Sequence, residues 1–201
     1  MRIGVLALQG DFAKHLALLR KLGVEGIEVR RPEELDKCDG LIIPGGESTT
    51  MLRQIAFIGL REPLHLFAAK KPVFGTCAGM ILMSKEIWDG DSAPAKKLGP
   101  SQQQPFGWLD IGIQRNGFGR QVDSFQTTLS LSNPSLPSAL SAIFIRAPRV
   151  KRVGPGVMTL ASYLEEPVLL QQGHHLAASF HPELTEDPTV HLYFMHLVEW
   201  G

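Results

Sequence analysis

One stretch near the middle of the chain restricts the fold more than any other: Pro72-Val73-Phe74-Gly75-Thr76-Cys77-Ala78-Gly79-Met80. A short apolar run reads as a buried strand. It breaks at Gly75-Thr76-Cys77-Ala78-Gly79, and a helical pattern follows from Met80 to Ile87. This is G-x-C-x-G, the cysteine form of the nucleophile elbow. A strand-to-helix turn that sharp holds its central residue in a strained conformation and leaves no room for side chains two positions either side. Gly75 and Gly79 meet that demand, and Cys77 is the candidate nucleophile at the head of the helix. A buried core cysteine in an ordinary strand-glycine-helix turn is the alternative reading of the pentapeptide.

Strand-helix alternation runs through the first 88 residues. Ile3 to Leu8 is a continuous apolar run, as in a strand covered on both faces. Phe12, Leu16, Leu19 and Leu22 recur at helical spacing up to Gly23. Gly26 to Arg30 predicts a second strand, Glu33 to Lys37 a helical turn, and Gly40 to Ile43 a third strand ending at Pro44-Gly45-Gly46. Ser48 is placed to cap a helix through Ile55, and Leu60 to Ala69 gives another. The pattern predicts an α/β fold, a mostly parallel central sheet flanked by helices, with function at the carboxyl ends of its strands. Asp89 to Pro105 is polar and proline-bearing and reads as a surface loop, either a tolerated insertion or a lid. Shorter, turn-bounded segments between Trp108 and Phe180 predict additional strands in the C-terminal half, several of them antiparallel. Val190 to Trp200 closes the chain as a helix. At 201 residues the whole chain, 1–201, is expected to form one domain.

Twenty basic and twenty acidic residues leave no net charge, which argues against nucleic acid as a partner. Cys38 and Cys77 alone supply neither a zinc site nor a disulfide framework, so no metal is expected. No stretch nears the roughly 18 apolar residues of a membrane span, and a free thiol suits a cytoplasmic setting.

A thiol nucleophile needs a base, an orienter and an oxyanion site. His181-Pro182-Glu183 follows the apolar run Leu176 to Phe180. Pro182 biases His181 toward extended backbone, where residues two apart face the same way, so the Glu183 carboxylate can hold one imidazole nitrogen and leave the other for sulfur. His174 and His175 compete as bases, but after Gly173 they read as a hairpin turn. His15, on the polar side of the first helix, and His65, His191 and His196 read as surface or structural residues. The backbone N–H of Ala78 supplies one oxyanion donor, and Gly46, in a neighbouring strand-to-helix loop, fits the second. Arg115, opening a polar glycine-rich stretch to Phe125, and Arg146, at the end of a strand, are candidate clamps for a substrate carboxylate. A surface salt bridge is the plainer reading of either.

Taken together, Val5-Leu6-Ala7-Leu8-Gln9-Gly10, Pro44-Gly45-Gly46-Glu47-Ser48-Thr49-Thr50, the elbow, Arg115-Asn116, Phe118-Gly119-Arg120-Gln121-Val122-Asp123-Ser124-Phe125, Phe144-Ile145-Arg146-Ala147-Pro148 and Ser179 to Asp187 cover nearly the whole chain. In these stretches the sequence resembles the class I, triad-type glutamine amidotransferases, and among them the glutaminase subunits of pyridoxal 5′-phosphate synthase. The resemblance implies a flavodoxin-like amidotransferase fold, with Cys77 as nucleophile, His181 as base and Glu183 as its orienter. It implies L-glutamine contacts from Gly46, Glu47, Ser48, Arg115, Ile145 and Arg146. It further implies hydrolysis through a γ-glutamyl thioester, no cofactor, and delivery of ammonia to a separate synthase subunit that builds pyridoxal 5′-phosphate (vitamin B6). Such subunits are poorly active alone, and a Gly45–Gly46 peptide that turns when the partner docks is one physical route to that. The Asp89 to Pro105 loop is longer than the pattern. An amidotransferase for another acceptor, a silent scaffold subunit and a thiol peptidase of the same fold are the competing readings.

Overall fold

The computed structural model describes residues 1–89, 93–94, 104–115, 124–133 and 136–201. The elements come in the order β1 (Arg2–Leu6), α1 (Phe12–Lys21), β2 (Glu25–Val29), α2 (Pro32–Leu35), β3 (Gly40–Ile43), α3 (Ser48–Phe57), α4 (Arg61–Ala68), β4 (Val73–Thr76), α5 (Ala78–Met83), β5 (Ser84–Asp89) and β6 (Ala93–Pro94). They continue with β7 (Leu109–Gln114), β8 (Phe125–Ser130), β9 (Ala139–Phe144), β10 (Arg149–Val153), β11 (Met158–Tyr163), β12 (Glu166–Gln172), β13 (His175–Ala178), a 3-10 turn (Pro182–Leu184) and α6 (Thr189–Trp200).

Among the described residues seven strands form the main sheet, in the order β11-β12-β13-β4-β3-β1-β2. From β2 across to β13 every pairing is parallel, and β12 and β11 add antiparallel strands at the far edge. A smaller sheet, β10-β7-β5-β6, and the hairpin β8-β9 complete the C-terminal half. This is the predicted α/β architecture. Parallel strands covered on both faces need apolar groups on both, and the alternation supplies them. Leu41, Ile43 and Val73 point into one core with Met51, Ile55 and Met80, while Ile42 and Phe74 point into the other with Ile3, Val5, Phe180 and Phe194.

Two local expectations change. The helix expected from Met80 to Ile87 stops at Met83, where the Ser84 hydroxyl donates to the Ile81 carbonyl at 2.8 Å and β5 begins beside β7. Helix α3 is capped by Glu47, not Ser48: the Glu47 carboxylate accepts from the Thr49 and Thr50 N–H groups at 3.0 and 2.7 Å, satisfying two donors the first turn leaves free. Most of the expected Asp89 to Pro105 loop and the Asn116 to Asp123 stretch lie outside the described residues.

The strand order decides where function can sit. β13 is the last strand in the chain yet pairs with β4, with Ala178 opposite Thr76. β3 flanks β4 on its other side, with Ile43 opposite Gly75. Three carboxyl ends therefore open together, carrying Pro44-Gly45-Gly46, Cys77 and Ser179-Phe180-His181.

Candidate active site

Cys77 follows β4 directly and precedes α5, with its N–H donating to the Ala178 carbonyl at 2.8 Å. Its φ of 50° lies in the left-handed region that costs a non-glycine residue of order 1–3 kcal/mol. The elbow glycines are required sterically. A Cβ on Gly75 would lie 2.6 Å from the Gly79 carbonyl carbon, and one on Gly79 would lie 2.1 Å from the Ile43 carbonyl oxygen. The strand, the turn and the helix pack backbone against backbone here, so the tightness read from the pentapeptide is the tightness of the fold.

His181 hangs from the end of β13, its N–H fixed by the Ile143 carbonyl at 2.8 Å. Its Nδ1 hydrogen-bonds to Glu183 Oε1 at 2.7 Å, and Cys77 lies on the same cleft beside it. The backbone reason differs from the one expected. His181, at φ −109° and ψ 84°, stops short of extended backbone, and Pro182–Leu184 coil into a 3-10 turn that brings the Glu183 carboxylate back beside the ring. Burial disfavours the imidazolium, but the neighbouring Cys77 and Glu183 favour it more and raise the His181 pKa to about 10. A proton on His181 is thus held between the sulfur and the carboxylate.

A cleft of about 360 Å³ opens onto this group. One wall is the β3–α3 loop, with Gly45, Gly46, Glu47 and Ser48; the floor is Cys77 and Ala78; the far wall carries Arg115, Ile145 and Arg146. All ten residues expected at the site are therefore in one place, except that Glu183 stands behind His181, not at the surface of the cleft. Gly45 packs directly on His181, where a Cβ would sit 2.5 Å from the ring Cε1. The Arg115 guanidinium donates to Thr49 Oγ1 at 3.0 Å, which aims its charge across the cleft. Arg146 has a φ of 45°, a second strained non-glycine residue lining the cleft. The Ile145 carbonyl lies 3.9 Å from the Cys77 sulfur. Glu47 is committed to α3: desolvation opposes its ionisation, but hydrogen bonds from Thr50 and Thr49 prevail and lower its pKa.

The competing histidines are elsewhere. His175 opens β13, at the opposite end from His181, where Nδ1 accepts from the Val73 N–H at 3.2 Å. It is not the solvated turn residue the sequence predicts, because Trp108 stacks on it with ring centroids 6.3 Å apart. Sequence reasoning also missed Gly10 and Asp11, which line the cleft from the end of β1. Asp11, His181 and Glu183 each bring one potential ligand atom within 4.8 Å of the others, though the two buried members are hydrogen-bonded together. The signal for Gly10 and Asp11 was positional, since they sit at the same sheet edge as the elbow.

The pattern of the SNO glutamine amidotransferase family matches residues 5–200. The chain belongs to this family. Among SNO-family relatives, the pyridoxal 5′-phosphate synthase subunit PdxT of Thermosipho africanus is 48% identical over 200 residues, 99% of this chain and 100% of that protein. The subunit of the same name from Oenococcus oeni is 45% identical over 199 residues, 99% of this chain and 97% of that protein. A crystal structure of a glutamine amidotransferase superposes with a TM-score of 0.86 at 43% identity, covering 98% of both chains. Fold and family agree over the whole length, including the C-terminal strands that carry His181.

Proposed function

We propose that this chain is the glutaminase subunit of a pyridoxal 5′-phosphate synthase, and that Cys77, His181 and Glu183 are its triad. The observation that carries the reading is His181, hydrogen-bonded to a buried carboxylate and sharing a cleft with the elbow sulfur and two arginines. His181 takes the Cys77 proton, and the sulfur attacks the side-chain amide carbon of L-glutamine. The oxyanion that forms is held by the main-chain N–H groups of Gly46 and Ala78. His181 then gives its proton to departing ammonia, leaving a γ-glutamyl thioester on Cys77. Water hydrolyses the thioester to L-glutamate and restores the thiol. Glu183 orients His181 and stabilises its charged form. Arg115 and Arg146 bind the substrate α-carboxylate, beside Ile145 and the Glu47-Ser48 backbone. The ammonia passes to a synthase subunit, the hetero-oligomeric partner that the relatives' name implies. No helix among the described residues is long and apolar enough to cross a membrane, and the reading places the enzyme in the cytoplasm.

Ammonia release from L-glutamine, measured with and without the synthase subunit, tests this. Wild type with its partner releases ammonia and Cys77→Ala does not. Equal release by both proteins refutes the assignment.

A further inference from the structure

Behind the triad lies a chain of buried polar groups that the reaction as written does not use. His15 of α1 and His191 of α6 are both fully buried, as is the Glu183 side chain. His15 Nδ1 is 2.9 Å from His191 Nε2. On its other edge, His15 Nε2 lies 3.5 Å from Glu183 Oε2 and 3.3 Å from the hydroxyl of Thr76, the residue before the nucleophile. Among the described residues, neither Glu183 Oε2 nor His191 Nδ1 has a hydrogen-bond partner, so the 3.5 Å approach of His15 is the nearest polar contact given to Oε2.

These contacts decide where the protons are. Burial, with the charges of His191 and His181 adding to it, holds the His15 pKa well below the ordinary value, and burial lowers His191 to about 4. Each ring is therefore neutral near pH 7 and carries one N–H. If His15 carried it on Nδ1, its Nε2 lone pair would face the carboxylate oxygen. His191 would then hold its proton on Nδ1, a buried donor with nothing to receive it, which is the costlier orphan. The opposite arrangement leaves no buried N–H without a receiver. His191 Nε2–H donates to His15 Nδ1, and His15 Nε2–H points between Glu183 Oε2 and the Thr76 hydroxyl. His191 Nδ1 is left with a lone pair only.

We propose that His15 is a positioning residue for the triad carboxylate, locked in its Nε2–H form by His191. One Glu183 oxygen is held by His181 and the other is faced by His15, so the carboxylate plane is fixed from both sides. Thr76 ties the same ring to the nucleophile's strand. The device links α1, α6, the elbow and the 3-10 turn through one imidazole. The role in turnover rests on the glutaminase reading, whereas the tautomer does not.

The test has two arms. In the full-length wild-type chain with ¹⁵N-labelled histidine, NMR should find His15 protonated on Nε2 and bare on Nδ1, unchanged from about pH 6 to 8. A charged His15 ring at pH 7, or the Nδ1–H form, overturns the proposal whatever the activity. In the complex with the synthase, His15→Phe should lower kcat for glutamine hydrolysis about 10- to 100-fold, with KM within about twofold, as expected when an outer partner of a reacting group is lost. His15→Gln, whose amide N–H can replace Nε2–H, should recover most of the rate. An unchanged kcat in His15→Phe, or a loss that His15→Gln does not recover, overturns the proposal. Turnover by Cys77→Ala would instead remove the glutaminase reading and leave the NMR result standing.

Discussion

Gly45→Ala is the sharpest perturbation of the site, because it adds one methyl group and changes no chemistry. The new Cβ would stand 2.5 Å from His181 Cε1 and 3.2 Å from Nδ1, against ordinary contacts of 3.4–4 Å. About 1 Å of displacement is needed. The Gly45 backbone is hemmed in at the end of β3, so the imidazole is the part that gives. It cannot move away from Gly45 and keep both its 2.7 Å bond to Glu183 and its place beside Cys77 in the cleft. A misplacement near 1 Å costs about 10²-fold in rate, and the strain costs about 1–3 kcal/mol in stability. Ammonia release from glutamine in the synthase complex should therefore fall about 100-fold, with most of the loss in kcat. Circular dichroism and urea unfolding check that the variant is folded. A folded Gly45→Ala with kcat within twofold of wild type would refute the claim that His181 works from this position.

Arg115→Ala should raise KM for glutamine by about tenfold or more with a smaller change in kcat, since a charge-assisted hydrogen bond to a carboxylate is worth about 1.5–3 kcal/mol and acts on bound substrate; steady-state kinetics separates the two. Gly79→Ala should destabilise the fold even though alanine is the better helix former by about 1 kcal/mol: its Cβ would fall 2.1 Å from the Ile43 carbonyl oxygen, and overpacking of about 1–3 kcal/mol wins, as urea midpoints will show. Stability should also fall as pH drops from about 6.5 to 4. Burial depresses the His191 pKa to about 4, so over that range the unfolded chain binds a proton the folded chain refuses, a loss of about 3 kcal/mol that His15 reinforces in the same direction. His181 acts oppositely: its raised pKa stabilises the fold below about pH 6.5, and this is lost as pH rises toward 10, so denaturation measured at both extremes should show a decline on each side.

The parts of the site that were legible in the sequence are those fixed by local sterics. G-x-C-x-G can be read because both glycines answer contacts within a few residues or one strand away. His181 and Glu183 can be read as neighbours because they are two apart, although a 3-10 turn and not extended backbone brings them together. The end of α5 was not legible, since Ser84-Lys85-Glu86-Ile87 carries a single apolar residue, too little to favour either period, and only pairing with β7 selects the strand. Glu47 displaced Ser48 as the cap because both can accept from the first turn, and the longer carboxylate reaches two N–H groups at once. His15 read as a polar-face residue because its burial depends on α6, 176 positions away along the chain. That separation is tertiary information, which no spacing along α1 encodes.

The central claim is that the elbow sulfur is the nucleophile, and trapping the acylated enzyme tests it most directly. The chain, with its synthase partner, is mixed with L-glutamine, quenched in acid and digested for mass spectrometry. The account predicts a γ-glutamyl group on Cys77 and none on Cys38, whose thiol is buried and held protonated by a pKa pushed up to about 11. A glutamyl group on Cys38 or on any other residue, or ammonia release with Cys77 never acylated, would contradict it.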